Sequence, residues 1–180
     1  MAPRPKSLTQ ASRELYGLLC GTGTNLNVFH YQYMAMYKLY PELKSLLQKR
    51  SGSVFDFGCG TKPFKADFKE TTDYIGADLE YTKEVDIQIV GGVIPELNQK
   101  FDYVLATQVF EHTEHLDYIR QLFNILKPGG EIIITVPFLY HVHDEYDFRR
   151  FTLMGIERVL LDAGYETVYK KAIGGVGSTT

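Results

Sequence analysis

The sequence predicts an α/β protein in which helices flank both faces of a doubly wound, mostly parallel β-sheet. Three observations support this prediction. Short apolar runs alternate along the chain with segments of helical periodicity. The runs are apolar along most of their length, which is typical of strands that helices cover on both faces. Turns containing glycine or proline separate the strands from the helices.

The first 50 residues are expected to precede the sheet. Residues 1–25 are predicted to form an N-terminal arm, and residues 26–50 a helical segment that caps the site of the main domain. Apolar side chains recur on one helical face of that segment, and Pro41 predicts a break or a new start within it. The main domain is expected to comprise residues 51–180.

The main domain is predicted to contain six strands and three helices. The predicted strands are Val54–Phe57, Tyr74–Asp78, Val85–Val90, Phe101–Ala106, Glu131–Val136 and Glu166–Ala172. The predicted helices are Pro63–Lys69, Leu116–Leu126 and a segment from Leu153 that ends at Gly164. The turn Lys127-Pro128-Gly129-Gly130 is a strong signal for the end of the second helix.

Composition excludes several classes of protein. With 180 residues, the chain has the length of one globular domain. A net charge of −3 argues against nucleic-acid binding through a basic surface. No apolar run reaches the length of a membrane span, and the N-terminus lacks a secretory signal, so no membrane contact is predicted. Cys20 and Cys59 cannot form a disulfide framework, which favours the reducing cytoplasm.

The most informative segment is an apolar strand that carries Asp56 and runs into the turn Gly58-Cys59-Gly60. Glycines let the backbone turn sharply and approach a ligand closely. In open α/β sheets, nucleotide-like ligands bind at this carboxyl edge. The segment therefore predicts a ligand site.

The same turn differs from a dinucleotide-binding loop. Pro63 stands where the third glycine of G-x-G-x-x-G would lie, and it offers no N–H group to an anion. Asp56 adds a negative charge that would repel a pyrophosphate. A carboxylate beside a glycine turn suits a ligand that carries an ammonium group.

Four motifs occur in order: Asp56–Gly60, Tyr74–Leu79, Phe101–Val104 followed by Gln108–His112, and Leu126–Gly130. Together they resemble the class I, Rossmann-like, S-adenosylmethionine-dependent methyltransferases of the bacterial small-molecule and glycan-pathway type. The resemblance covers about residues 50–170. It implies S-adenosylmethionine as cofactor, a small-molecule acceptor, and methyl transfer to an oxygen or nitrogen of a small metabolite or sugar.

The resemblance also implies seven cofactor-binding residues: Asp56, Gly58, Cys59, Gly60, Asp78, Leu79 and Gln108. The glycine turn is expected beside the methionine and ribose moieties, with Asp56 orienting the loop and the ammonium group. Asp78 matches the acid that holds both ribose hydroxyls, and Gln108 matches the wall beside the methionine moiety. No acid follows the third strand, so adenine is expected to rest on backbone groups and apolar packing.

The loop Pro137–Thr152 is expected to bind the acceptor, because it follows the fifth strand at the same edge. It resembles a family loop in which His143 and the D-F-x-R-[FY]-T ending occupy matching positions. The candidate catalytic residues are His143, His141 and Asp147. His143 could act as a general base, since an imidazole titrates near neutral pH. Alternatively, the loop only positions the acceptor.

Other interpretations of the neighbouring residues stay open. Asp147 could pair with Arg149 or Arg150 and fix the loop. His141, His143 and Asp147 could hold a metal ion, but such sets arise often by chance, and no metal is predicted. Glu111-His112 could act in the site or simply begin a helix.

The C-terminus differs from the family pattern, in which a seventh strand completes the sheet. Only the glycine-rich segment Ile173–Thr180 follows the predicted sixth strand. The sheet is therefore expected to lack its last strand, or to be completed by a neighbouring chain in a homodimer.

Two alternative functions remain at this point. One is a module that binds S-adenosylmethionine without catalysis. The other is a nicotinamide-dependent oxidoreductase, which Asp56 and Pro63 disfavour.

Overall fold

The computed structural model describes residues 8–22, 25–29, 33–143 and 145–174. In chain order the elements are α1 (Leu8–Cys20), β1 (Gly21–Thr22), β2 (Asn25–Leu26), α2 (Tyr33–Met36), α3 (Leu39–Leu47), β3 (Ser51–Phe57), β4 (Glu70–Asp78), β5 (Ile87–Gln88), β6 (Phe101–Thr107), α4 (Asp117–Ile125), β7 (Leu126–Thr135) and α5 (Leu153–Asp162). Within the described residues, no helix is long and apolar enough to cross a lipid bilayer.

The main sheet has five strands in the order β5-β4-β3-β6-β7, and every pair is parallel. In chain order, β4 and β5 are added on one side of β3, and β6 and β7 are then added on its other side. Because the direction of building reverses between β3 and β6, a switch point lies there, and ligands of such sheets bind at the carboxyl ends beside it.

Apolar clusters cover both faces of the sheet. On β3, Val54 packs in a cluster with Leu43 and Leu47 of α3, whereas its neighbour Phe55 packs in a cluster with Ile119 of α4. Successive side chains of a strand point to opposite faces, so the two clusters lie on opposite sides of the sheet. This arrangement confirms the predicted doubly wound α/β fold.

The prediction of a sixth strand over residues 166–172 is wrong. Residues 165–174 contain no strand, and β7 pairs only with β6 within the described residues. Polar contacts fix this segment to two helices instead, since Lys171 binds Glu42 of α3 and Lys170 binds Glu157 of α5. The sheet therefore lacks strands beyond β7 in the part that the structure describes.

Several predicted bounds also change. The helix expected at Pro63–Lys69 is a single 3₁₀ turn over Lys65–Asp67, and the strand expected at Val85–Val90 is only Ile87–Gln88. The helical segment within 26–50 is divided into α2 and α3, with residues 30–32 outside the described part. Part of the predicted arm forms helix α1.

The strand expected at Glu131–Val136 begins earlier in the structure. Phe101 pairs with Leu126 and Tyr103 pairs with Glu131, so the lysine–proline–glycine turn bulges out of β7 between these two pairs. Gly129 has a φ of +76° there, a conformation that suits glycine. The turn therefore interrupts a strand rather than separating a helix from one.

Candidate cofactor and acceptor site

The predicted cofactor residues meet at the carboxyl edge of the sheet. The glycine turn follows β3, Asp78 ends β4, and Gln108 follows β6. These three strands are neighbours, so the residues after them lie side by side at the switch point.

Gly58 occupies a position that no larger residue fits. Its φ is +71°, and a Cβ added there would lie 2.4 Å from Cγ2 of Val109. Its N–H donates to the carbonyl of Ala77 over 2.8 Å, which fastens the turn to β4. Both the left-handed backbone and the close approach explain the glycine.

Gly60 faces open space. Its φ is +48°, and nothing lies within 4 Å of a Cβ added there. Its N–H donates to Oδ2 of Asp78 over 2.9 Å. The turn and the acid of β4 are thus joined directly, beside a space that a ligand can enter.

Asp78 is half-buried, and each of its carboxylate oxygens accepts one backbone N–H group. Oδ2 accepts from Gly60, and Oδ1 accepts from Glu80 over 3.2 Å. A carboxylate oxygen has capacity for more than one donor, so both can still accept hydroxyl groups. Leu79 is exposed beside it.

Asp56 is almost fully buried and lies beneath the turn rather than on its surface. Its Oδ2 accepts a 2.7 Å hydrogen bond from the hydroxyl of Tyr74. Burial raises the pKa of Asp56 to about 7, although Tyr74 and the charge of Lys62 oppose the rise. This position suits a residue that orients the turn, and its predicted contact with an ammonium group stays a prediction.

Cys59 is also buried. Burial, reinforced by the nearby acids Asp56 and Asp78, raises the pKa of its thiol to about 12. A thiol that stays protonated is a poor nucleophile. Cys59 therefore forms part of the wall of the site.

Lys62 is a residue of the site whose role the sequence did not reveal. Its Nζ lies 2.5 Å from Oδ2 of Asp86, and that same oxygen accepts the N–H of Gly76 over 2.7 Å. A Cβ added at Gly76 would lie 2.3 Å from Cε of Lys62. Lys62 thus links the glycine turn to β4 and to the segment before β5, a contact that no local sequence signal indicates.

Gln108 joins the ends of β6 and β7. Its φ is +53°, its N–H donates to the carbonyl of Thr135 over 2.9 Å, and its side-chain amide donates to Oγ1 of Thr135 over 3.2 Å. The left-handed backbone turns the chain at the end of β6. Gln108 therefore lies between the cofactor residues and the acceptor loop.

The edge fits S-adenosylmethionine, the cofactor that the resemblance implies. Open space lies above Gly60, as close approach of a ligand requires. Asp78 offers two acceptor oxygens for a diol, and Asp56 lies buried beneath the turn, where it can orient the loop. These are the residues that would hold the cofactor.

In the acceptor loop, Asp147 fixes His143. The backbone N–H of His143 donates to Oδ2 of Asp147 over 2.9 Å, and Nδ1 of its ring lies 3.4 Å from the same oxygen. Arg150 contacts both carboxylate oxygens of Asp147, with Nη2 2.6 Å from Oδ2. Arg150 holds the pKa of Asp147 well below its usual range. The proposed pairing of Asp147 with Arg150 is therefore confirmed.

The other polar residues of the loop are placed differently. His141 is exposed, and its carbonyl accepts from Arg150 over 3.0 Å. Arg149 donates to the carbonyl of Glu114 over 2.6 Å, so it does not pair with Asp147. Thr152 caps α5 by accepting the N–H of Gly155 over 2.9 Å.

The structure brings Glu111 and His112 beside His143. Glu111 is completely buried, and neither of its carboxylate oxygens has a hydrogen-bond partner. Its Oε1 lies 3.9 Å from Nε2 of His112, whose ring packs edge-on against that of His143 with centroids 5.0 Å apart. Burial raises the pKa of Glu111 to about 7, against the opposing effects of its own backbone N–H and of the charges of His112 and Arg150. These two residues thus adjoin the acceptor loop.

A groove of about 640 Å³ runs along the outer side of β7. Leu43 of α3, Ile133 of β7 and Ile156 of α5 contribute to its apolar walls. Of the predicted cofactor residues, Gln108 alone lines it, so the groove lies beside the glycine turn rather than over it. Tyr140 and Thr152 of the acceptor loop border the groove as well.

Comparisons with known proteins give the family. A family model described as a methyltransferase domain matches residues 29–168. The uncharacterized protein MJ0638 of Methanocaldococcus jannaschii is 27% identical over 141 residues, which cover 73% of this chain and 62% of that protein. The chain therefore spans less than two thirds of the length of this relative.

Two solved structures share the fold. The [4+2]-cyclase SpnF has a TM-score of 0.57 and 21% identity, over 71% of this chain and 57% of the cyclase. The Burkholderia thailandensis 1,6-didemethyltoxoflavin-N1-methyltransferase, with 1,6-didemethyltoxoflavin and S-adenosylhomocysteine bound, has a TM-score of 0.55 and 15% identity, over 99% of this chain and 88% of that enzyme. Together with the match over residues 29–168, the five-stranded parallel sheet and its glycine turn assign this chain to the methyltransferase-domain family, with the Rossmann-like fold of class I S-adenosylmethionine-dependent enzymes.

Proposed function

We propose that this protein binds S-adenosylmethionine at the glycine turn and transfers its methyl group to an oxygen or nitrogen of a small metabolite or sugar. The observation that supports this most is the junction of Gly60 with Asp78, which places an acid beside open space at the switch point of the sheet. When bound, the cofactor supplies a methyl group activated by its sulfonium.

The acceptor is proposed to bind beside the loop that carries His143. Asp147 accepts the backbone N–H of His143 and lies 3.4 Å from Nδ1 of its ring, and Arg150 holds Asp147 in turn. This support favours a proton on Nδ1, so Nε2 can accept the proton of an acceptor hydroxyl. Asp147 is then a positioning residue, and exposed His141 has the weaker case for contact with the acceptor.

A small molecule fits the dimensions of the neighbouring groove. Its volume of about 640 Å³ falls within the roughly 300–1,000 Å³ of small-molecule sites. Tyr140 and Thr152 give its border hydroxyl groups. Aliphatic side chains make up much of the wall, and charged side chains such as Glu42, Arg50 and Lys171 line it as well. These features support an acceptor that has both polar and apolar parts.

The test is an acceptor screen that measures S-adenosylhomocysteine release from a panel of sugars, hydroxylated metabolites and amines. We expect turnover with at least one acceptor, and loss of most of that turnover in His143→Ala. Added imidazole should restore part of the rate of His143→Ala if His143 removes the acceptor proton. Binding of S-adenosylhomocysteine without turnover on any acceptor would instead support the non-catalytic module.

The role of Asp147 has its own readout. Asp147→Asn keeps the size of the side chain but loses the charge that faces Arg150 and His143. A positioning role predicts a lower kcat with little change in the KM of the acceptor. A higher KM for the acceptor with an unchanged kcat would instead assign Asp147 to acceptor binding.

A homodimer through the unpaired side of β7 is proposed as an alternative use of this surface, because a partner strand paired there would fill the groove that lines β7. Within the described residues this strand has a neighbour on one side only, and an open strand edge can pair with another chain. Sedimentation equilibrium measures the mass directly. A protein that stays monomeric at all concentrations tested would contradict the homodimer.

A further inference from the structure

We propose that Glu111, His112 and His143 form a binding site for a divalent transition-metal ion of the Zn²⁺ type. Each of the three offers one ligand atom, and these atoms all lie within 4.8 Å of one another. Two residues of the set follow β6 and the third lies in the loop after β7, so the site is assembled by the fold and not by one local motif. The proposal does not depend on methyl transfer, because metal binding is measured without it.

The buried carboxylate of Glu111 is the main observation. It is fully buried, and both of its oxygens lack a hydrogen-bond donor. A buried carboxylate without a partner is costly, and proteins rarely keep one without a cation or a donor beside it. A bound cation would supply the partner that Glu111 lacks.

The two histidines present the right nitrogen atoms. Nδ1 of His112 lies 2.5 Å from the carbonyl oxygen of Tyr146. Nδ1 of His143 lies 3.3 Å from the carbonyl of His141 and 3.4 Å from the carboxylate of Asp147. Because these acceptors favour a proton on Nδ1, the lone pair of each ring is on Nε2. Metal-binding histidines usually have such a partner on the second nitrogen.

The spacing of Glu111 and His112 is close to that of two ligands on one ion. Ligands about 2.1 Å from a tetrahedral ion lie roughly 3.4 Å apart. Oε1 of Glu111 and Nε2 of His112 are 3.9 Å apart, so a small adjustment brings them to that spacing. Two imidazoles and one carboxylate suit Zn²⁺ and similar ions.

The surrounding charges also favour a cation. Asp147 contacts the guanidinium of Arg150 with both oxygens and so offsets much of the positive charge near Glu111. Three protein ligands leave a position for an oxygen of water or acceptor, as in catalytic zinc sites. With an ion bound, the lone pair on Nε2 of His143 would be engaged and could not accept a proton, and the ion would instead lower the pKa of a bound hydroxyl. His143 would then act as a base only in the metal-free protein.

The experiment begins with protein that has been dialysed against a chelator and is then titrated with Zn²⁺ in a calorimeter. We expect about one ion per chain, and Glu111→Gln and His143→Ala should each weaken binding at least about tenfold. His115→Ala is the matched control, because His115 is exposed on the same segment but lies outside the cluster. Its affinity should equal that of the wild type.

Co²⁺ absorbance and thermal unfolding provide further readouts. Co²⁺ in a site of low coordination number should give visible absorbance that is lost in Glu111→Gln. Zn²⁺ should raise the melting temperature of the wild type but not that of Glu111→Gln, and circular dichroism of the metal-free variant checks that it is folded. The proposal is overturned if Zn²⁺ does not bind at about one equivalent, or if His115→Ala weakens binding as much as His143→Ala does.

Discussion

Tyr74 donates a 2.7 Å hydrogen bond from its hydroxyl to Oδ2 of Asp56, and both side chains are buried next to the glycine turn. Burial raises the pKa of Asp56 from 3.8 to about 7. The folded protein therefore holds the proton of Asp56 more tightly than the unfolded chain does.

The first prediction concerns the pH dependence of stability. Because the pKa of Asp56 is higher in the folded state, its contribution to stability is complete below pH 3.8 and is lost as the pH rises through 7. The Asp56→Asn variant does not titrate at this position, so it does not lose this stability as the pH rises, and it keeps an acceptor for the hydroxyl of Tyr74. Relative to the variant, the wild type should lose up to about 4 kcal/mol of unfolding free energy between pH 4 and 8. Urea unfolding across this range measures the difference.

Tyr74→Phe is the companion variant for this prediction. The hydroxyl of Tyr74 lowers the pKa of Asp56, so its removal should raise that pKa further and steepen the loss of stability. If the unfolding free energies of the wild type and Asp56→Asn changed with pH in parallel, the pKa of Asp56 would not be raised in the folded protein, and the prediction would be wrong.

The second prediction compares two glycines that have similar backbones. Gly58 and Gly129 have φ values of +71° and +76°, but only at Gly58 would a Cβ meet a neighbour, Cγ2 of Val109 at 2.4 Å. Alanine at either position should cost about 1–2 kcal/mol for the left-handed backbone. Gly58→Ala should cost a further 1–3 kcal/mol, roughly, for overpacking. Denaturant unfolding of both variants tests this, and equal losses would contradict the close packing at Gly58.

The third prediction concerns the contact between Lys62 and Asp86. The side chain of Lys62 is 11% exposed, whereas both members of the Arg158–Asp162 pair on α5 are largely exposed. A double-mutant cycle with Lys62→Met and Asp86→Asn should give a coupling above about 1 kcal/mol, while the α5 pair should give roughly 0.3–0.5 kcal/mol. The measurement is the unfolding free energy of each single and double variant. Equal couplings would mean that Lys62 does not brace the turn.

The sequence predicted the central part of the fold well. The strands near Val54, Tyr74, Phe101 and Ile132 are short, mostly apolar runs that the structure places in one parallel sheet. Their carboxyl ends place Gly60 and Asp78 in contact. These strands could be predicted because their apolar runs are clear and glycine turns mark where they end.

The peripheral elements were not predictable in the same way. Residues 166–172 contain Val168 and Tyr169 in a strand-like pattern, but Lys170 and Lys171 find carboxylates on two helices, and tertiary contacts override the local preference. In the site, Glu111 and His143 lie far apart in the sequence, so their contact could not be predicted from it. They come together because β6 and β7 are neighbouring strands. The contact of Lys62 with Asp86 depends instead on the packing of β3, β4 and β5 side by side, which the local sequence does not indicate.

The central claim is that the glycine turn and Asp78 bind the methyl donor. Asp78→Asn keeps an oxygen for the N–H of Gly60 but loses the charge that strengthens hydrogen bonds to the ribose hydroxyls. Glu80→Ala, which removes an exposed acid two residues away, is the matched control.

Calorimetric titration with S-adenosylhomocysteine tests this claim most directly. We expect the wild type and Glu80→Ala to bind it with equal affinity and more tightly than they bind NAD, and Asp78→Asn to bind it about tenfold more weakly, a loss of about 1.4 kcal/mol. Equal binding by Asp78→Asn and the wild type, or tighter binding of NAD by the wild type, would contradict the account.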